Sequence, residues 1–141
     1  MEGRCFCGAI TYKIASEIVD SYICHCRDCQ YFSGSAFHAL SIVAKEAFQI
    51  TLGEPKIFSH NTQDGSTLTR AFCPDCGTPL FNVSSRFDDI VMFTTNTLDD
   101  PEIHPPSFKI WTASKVPWEE IIPGINSFPY GAMDGDNPPS G

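Results

Sequence analysis

Seven cysteines fall into three tight groups, and this grouping constrains the fold more than any other feature of the chain. The groups are Cys5-Phe6-Cys7, Cys24-His25-Cys26-Arg27-Asp28-Cys29 and Cys73-Pro74-Asp75-Cys76. An odd number of cysteines cannot all pair, and seven in 141 residues lies below the density of disulfide-stapled scaffolds. A chain of this length sustains one hydrophobic core without such staples. In a reducing compartment thiols stay free unless they bind metal or do chemistry. The spacing therefore has to say which.

Two of the groups end in glycine, as Cys5-Phe6-Cys7-Gly8 and Cys73-Pro74-Asp75-Cys76-Gly77. Sulfurs on one tetrahedral zinc, with Zn–S bonds of about 2.3 Å, lie roughly 3.8 Å apart, so the backbone between paired ligands must bend sharply. A glycine just after the second ligand supplies the unusual dihedral such a bend requires. Together Cys5, Cys7, Cys73 and Cys76 make a closed four-thiolate site that ties the start of the chain to its middle across more than 60 residues. Its reading is structural, with folding linked to the metal.

The middle group has no closing glycine and no fourth cysteine. If Cys24 and Cys26 continue a strand they share a face, His25 points away, and a turn at Arg27-Asp28 returns Cys29. Three protein ligands with one open position is the arrangement of catalytic zinc sites. Spacing alone leaves two alternatives open. One is a second structural zinc completed by His25, His38 or Asp28, and the other is a division of Cys5, Cys7, Cys24 and Cys26 against Cys29, Cys73 and Cys76.

The rest of the chain reads as strands and turns. Ten glycines and eleven prolines with only 18% charged residues disfavour a helical bundle. Alternation or β-branched runs mark strands at Gly8–Ile14, Ser21–Cys24, Ala36–Val43, Phe48–Leu52, Lys56–Ser59, Thr67–Phe72, Pro79–Val83, Ile90–Thr95 and Phe108–Trp111. Asp64-Gly65 marks a hairpin, and Ser84–Asp89 a turn. Short helical turns are expected only at Lys45–Phe48 and Trp118–Ile122. The fold class is all-β, a single zinc-bound domain over residues 1–128. Residues 129–141 have little to bury and read as a disordered tail.

The chain carries a formal net charge of -8 and no Lys/Arg cluster, which argues against binding nucleic acid or anionic membranes. No apolar run approaches a membrane span, and Met1 to Cys7 lacks the apolar stretch of a signal peptide. A cytoplasmic location is expected.

The motifs Gly3-Arg4-Cys5-Phe6-Cys7-Gly8-Ala9-Ile10, Cys24-His25-Cys26-Arg27-Asp28-Cys29 with Ser33-Gly34-Ser35-Ala36-Phe37, and Ala71-Phe72-Cys73-Pro74-Asp75-Cys76-Gly77-Thr78-Pro79-Leu80 resemble those of the glutathione-dependent formaldehyde-activating enzyme family. That family also includes centromere protein V. The similarity continues through Thr97-Leu98-Asp99-Asp100-Pro101 and Ser114-Lys115-Val116-Pro117-Trp118. It implies a beta-tent fold, a structural zinc on Cys5, Cys7, Cys73 and Cys76, and a second zinc on Cys24, Cys26 and Cys29 that binds glutathione. Lys109 departs from the pattern, since relatives often carry histidine there.

The activity implied is a carbon-sulfur lyase of the S-(hydroxymethyl)glutathione synthase type. Its partners would be glutathione or another small thiol and a small aldehyde, with a homo-oligomer left open. Candidates for a proton donor are His25, His38, Tyr31 and Ser33, by proximity in sequence, and none is assigned as catalytic. Arg27, Arg70 and Lys109 are candidates for holding glutathione's carboxylates. The competing classes are a zinc-stabilised interaction module without turnover and a thiol or zinc sensor.

Overall fold

A computed structural model describes residues 1–120 and 122–138. Its strands are β1 (Glu2–Arg4), β2 (Thr11–Ile14), β3 (Asp20–Cys24), β4 (His38–Ala44), β5 (Phe48–Leu52), β6 (Lys56–Asn61), β7 (Thr67–Phe72), β8 (Pro79–Ser84), β9 (Phe87–Thr94), β10 (Phe108–Ile110) and β11 (Asn126–Ser127). One α-helix, α1 (Arg27–Ser33), interrupts them. A three-stranded sheet runs β1-β2-β5, and an eight-stranded sheet runs β11-β10-β3-β4-β9-β8-β7-β6. Pairing is antiparallel except at β10, which lies parallel to β3 and β11. The all-β class is as expected.

The core lies between the two sheets. Tyr12 stacks on Phe48 at 5.0 Å between ring centroids and tilts against Phe93 at 5.9 Å, with Ile10, Ile14, Val43, Val91 and Leu80 closing around them. Such aromatic pairs contribute about 0.5–1.5 kcal/mol each beyond the area they bury. The period-2 alternation of β4 and β9 then sends the other set of residues to the opposite face, where Leu40, Ile42 and Met92 pack with Tyr22, Phe108 and Ile110. That second face is the floor of a cleft.

Several expectations shift. The first long strand begins at Thr11 rather than Gly8, because Cys7–Ala9 belongs to a bend in which Gly8 adopts φ 79°. Strand β4 starts at His38 rather than Ala36, and the turn expected over Ser84–Asp89 is confined to Ser85 and Arg86. The turn at Arg27-Asp28 is the opening of a seven-residue helix. Strand β10 ends at Ile110, one residue early, because Trp111 takes a left-handed conformation with φ 58°. The helical turn at Lys45–Ala47 is present. Of the turn expected over Trp118–Ile122, Ile121 lies outside the described residues, and the one hydrogen-bonded step found there runs from Glu119 N–H to the Val116 carbonyl at 3.4 Å.

Residues 129–138, read from composition as part of a tail, carry on from β11 past the end of β10, and residues 131–134 line the cleft. Trp111 N–H donates to the Tyr130 carbonyl at 2.9 Å, and Ala113 N–H to that of Pro129 at 3.1 Å. The Asp134 carboxylate reaches Arg86 at 3.4 Å. Residues 139–141 lie outside the described residues. Among the described residues no helix is long and apolar enough to cross a membrane.

Candidate metal centres and cleft

The four-thiol group is assembled from two related bends, each closed by a glycine. In the first, Gly8 N–H donates to the Cys5 carbonyl at 3.2 Å and Cys5 N–H to that of Ile10 at 3.0 Å. In the second, Gly77 N–H donates to the Cys73 carbonyl at 2.8 Å and Cys73 N–H to that of Thr78 at 3.0 Å. Gly8 and Gly77 share φ 79°, in the left-handed region that a side chain would disfavour. The Cys5 and Cys7 sulfurs lie 3.6 Å apart, and those of Cys7 and Cys73 3.8 Å. Cys5 and Cys73 are buried, Cys76 is half-buried and Cys7 is exposed.

The three-thiol group stands at the junction of β3 and α1. Strand β3 delivers Cys24, and His25 N–H then donates to the Ile110 carbonyl at 3.0 Å, prolonging the parallel ladder with β10. Cys26 is the N-cap of α1: its sulfur accepts the Cys29 N–H at 3.3 Å, where a hydroxyl or carboxylate usually stands. The helix start therefore folds Cys29 back beside Cys24 and Cys26.

Each cluster's sulfurs lie within 4.8 Å of one another, and the two clusters are those of Cys5, Cys7, Cys73 and Cys76 and of Cys24, Cys26 and Cys29. The mixed division has no counterpart among the described residues, and neither His25, His38 nor Asp28 joins the trio. Sulfur-only donors at these separations suit zinc. Either cluster could hold a metal ion.

Electrostatics divides the thiols within each group. The Cys29 thiol is held well below its ordinary range by hydrogen bonds from Cys24 and Cys26, aided by the charge of Arg70. Cys24 is pushed well up by its hydrogen bonds with Cys26 and Cys29, in which it keeps its proton. In the other group, the Thr78 hydroxyl lowers Cys76 to about 5. A dication would replace the protons that the remaining sulfurs retain.

The trio opens into a cleft of about 470 Å³. This falls among pockets that enclose ligands of tens of atoms. Its floor is the second face of the large sheet, lined by Tyr22, Leu40, Ile42, Met92, Phe108 and Ile110. Arg70 lines it too, only 2% exposed, with both terminal nitrogens 3.9 Å from the Cys29 sulfur. Its Nε donates to His60 Nε2 at 2.9 Å and its guanidinium lies 5.0 Å from the Phe32 ring centre. Among the described residues the two carboxylate ion pairs both belong to Arg86, to Asp64 at 2.8 Å and to Asp134 at 3.4 Å. The counter-charge for buried Arg70 is thus the thiol trio.

The other candidates separate. Arg27 lines the cleft, but Lys109 does not, because its neighbours Phe108 and Ile110 take the inward positions of β10. None of His25, His38, Tyr31 and Ser33 lines it. His25 is fully buried beside Phe37. Burial and the charge of Arg70 lower His38 to about 4, and its Nε2 meets the Thr94 hydroxyl at 2.9 Å. Tyr31 is exposed under the Arg27 guanidinium, 4.4 Å away, and the Ser33 hydroxyl donates to the Phe37 carbonyl. Sequence reasoning missed Asn82, Ser84, Arg86, Trp111 and Asp134 as cleft residues. The alternation of polar Asn82 and Ser84 with Phe81 and Val83 was a usable signal, but such a polar face reads as solvent-facing.

Comparison with known proteins places this geometry. A protein of Schizosaccharomyces pombe named as an uncharacterised lyase is 34% identical over 80 residues, 57% of this chain and 55% of its own length. A Penicillium rubens protein provisionally named a glutathione-dependent formaldehyde-activating enzyme is 29% identical over 55% of this chain and 41% of its own. The chain thus spans about half the length of these curated relatives. A Halomonas elongata protein with the same provisional name is 24% identical over 86% of this chain and 80% of its own. The crystal structure of a Rhodobacter sphaeroides protein shares the fold, with a TM-score of 0.59 at 17% identity over 74% of this chain and 92% of that one. The profile described as glutathione-dependent formaldehyde-activating enzyme matches residues 1–114, a stretch holding all seven cysteines, and the chain belongs to that family.

Proposed function

We propose that the chain is a zinc-dependent carbon-sulfur lyase of the S-(hydroxymethyl)glutathione synthase type, with two zinc ions per chain. Cys5, Cys7, Cys73 and Cys76 would hold the structural ion, and Cys24, Cys26 and Cys29 the other. The observation that carries this reading is that the three-thiol group lines the cleft beside a buried guanidinium, while the four-thiol group does not. When bound by the trio, zinc would accept an exogenous thiol as fourth ligand and favour its thiolate form at neutral pH.

The chain's own residues do the rest. Arg70 donates toward Cys29 and draws charge from a centre that three thiolates would otherwise leave electron-rich. The apolar floor keeps water from the sulfur, and the walls hold thiol and aldehyde in contact, which contributes more here than polarising the carbonyl. The thiol gives up its S–H proton to solvent, and the resulting thiolate sulfur bonds to the carbonyl carbon of formaldehyde or a related aldehyde. The carbonyl π pair moves to oxygen, which takes one proton, and nothing is oxidised or reduced. His25, His38, Tyr31 and Ser33 all stand off the cleft, so none of them delivers that proton.

The test is glutathione-dependent loss of formaldehyde above the spontaneous rate, measured with zinc-loaded protein. Cys26→Ser should remain folded and lose both the activity and glutathione binding. Activity equal to the uncatalysed background in protein carrying two zincs would overturn the proposal and favour a non-catalytic module.

A further inference from the structure

The floor of the cleft contains one polar side chain that the fold leaves without a use. Asn82 is 2% exposed, lines the cleft, and its Oδ1 has no hydrogen-bond partner among the described residues. A buried carbonyl oxygen without a partner costs stability, so native structures rarely leave one unless something outside the fold completes it. Phe81 and Val83, on either side in sequence, pack into the core, which fixes Asn82 on the cleft face of β8.

Its position relates it directly to the thiols. Asn82 pairs in register with Arg70 on β7 and with Met92 on β9. Neighbouring strands are about 4.8 Å apart, so Asn82 stands one strand from Arg70, whose guanidinium contacts Cys29. In sheet order the floor runs from β3, which carries Cys24, through β4, Met92 on β9 and Asn82 on β8 to Arg70 on β7, whose guanidinium reaches back to Cys29. A carboxamide presents an acceptor and donors side by side, the complement of an amide group.

Resting on the proposed function, we infer that Asn82 is a specificity-determining residue that pairs with an amide of the thiol substrate. It selects an amide-bearing, peptide-like thiol over a simple one. Formaldehyde alone would use little of a cleft of about 470 Å³, and the space beyond the sulfurs is where the remainder of such a thiol fits.

The inference separates binding from stability. Replacing Asn82 with leucine removes an unpaired buried polar group, so the ligand-free zinc protein should keep or raise its melting temperature. Calorimetric titration of the same protein should show glutathione affinity lowered about tenfold or more, the usual effect of deleting a buried hydrogen-bonding partner. Binding of 2-mercaptoethanol, which has a thiol and no amide, should stay within about twofold of wild type. Asn82→Ala serves if the leucine variant misfolds and should show the same selectivity. Equal loss of both thiols, unchanged affinity for both, or a lowered melting temperature in both variants overturns the inference. Wild-type zinc protein that binds neither thiol overturns the proposed function, and this inference with it.

Discussion

Both terminal nitrogens of Arg70 lie 3.9 Å from the sulfur of Cys29, joining the strand that precedes the Cys73 knuckle to the open thiol group. A buried guanidinium without a carboxylate partner is costly unless another anion answers it. The thiol trio is that anion, and Arg70 in turn tempers its charge. Arg70→Met should keep two zincs per chain and lower glutathione-dependent turnover by roughly 10- to 100-fold, the effect of losing a charge-assisted hydrogen bond. Metal analysis beside steady-state kinetics checks this, and unaltered turnover would contradict it.

The two thiol groups should fail differently. Cys73 is fully buried in the main core and its group closes the loop from Cys5. Cys73→Ser should therefore destabilise the protein by about 4 kcal/mol or more, because losing the proposed structural zinc would remove folding energy directly. Cys26→Ser removes a thiol from the cleft group and keeps an oxygen at the helix N-cap, so its melting temperature should fall by only a few degrees. Thermal denaturation with zinc counting distinguishes the two.

How far the residues announced this arrangement differs by region. The Cys-Gly knuckles were legible because a bend that brings two thiols together leaves a local signature, and β4 to β9 were legible as apolar or β-branched runs bounded by turn residues. Helix α1 was not, because its N-cap is Cys26 rather than a hydroxyl or carboxylate residue and it spans only seven residues. Strand β1, three residues long, carries too little pattern to register. The cleft itself was invisible: Asn82 reads as a solvent-facing position, and the segment after Pro129 reads as a tail until the Asp134–Arg86 pair is seen.

Metal affinity at the cleft group should rise with pH. Cys29 is held low, whereas Cys24 is pushed well up and Cys26 to about 11, the latter despite its bond with Cys24 and chiefly through Cys29 and burial. Near neutral pH the metal-free trio therefore keeps its Cys24 and Cys26 protons, and binding a dication should release about two of them. Below the pKa of those two thiols, each unit of falling pH should weaken binding by up to about 100-fold, the sign being set by protons that the metal must displace. Chelator competition at several pH values, with proton release measured in weak buffer, tests this; a pH-independent affinity would contradict it.

Arg86 links the Asp64 turn to the segment carrying Asp134, and Trp111 lies under that segment in a T-shaped contact with Tyr130 at 5.5 Å. Partly exposed pairs of this kind contribute little to global stability, about 0–1 kcal/mol. Arg86→Ala should thus leave the melting temperature almost unchanged while loosening the cover of the cleft. Faster amide exchange over residues 126–137, with easier acrylamide quenching of Trp111, is the expected result.

The central claim is that the trio holds a zinc with a free fourth position that a thiol fills. Zinc X-ray absorption on protein carrying two zincs, before and after adding glutathione, tests it most directly. Four sulfurs on one ion and three on the other average about 3.5 per zinc, and glutathione should raise this to about 4 with Zn–S near 2.3 Å. An average already at about 4 before glutathione, or one that glutathione leaves unchanged, would contradict the account.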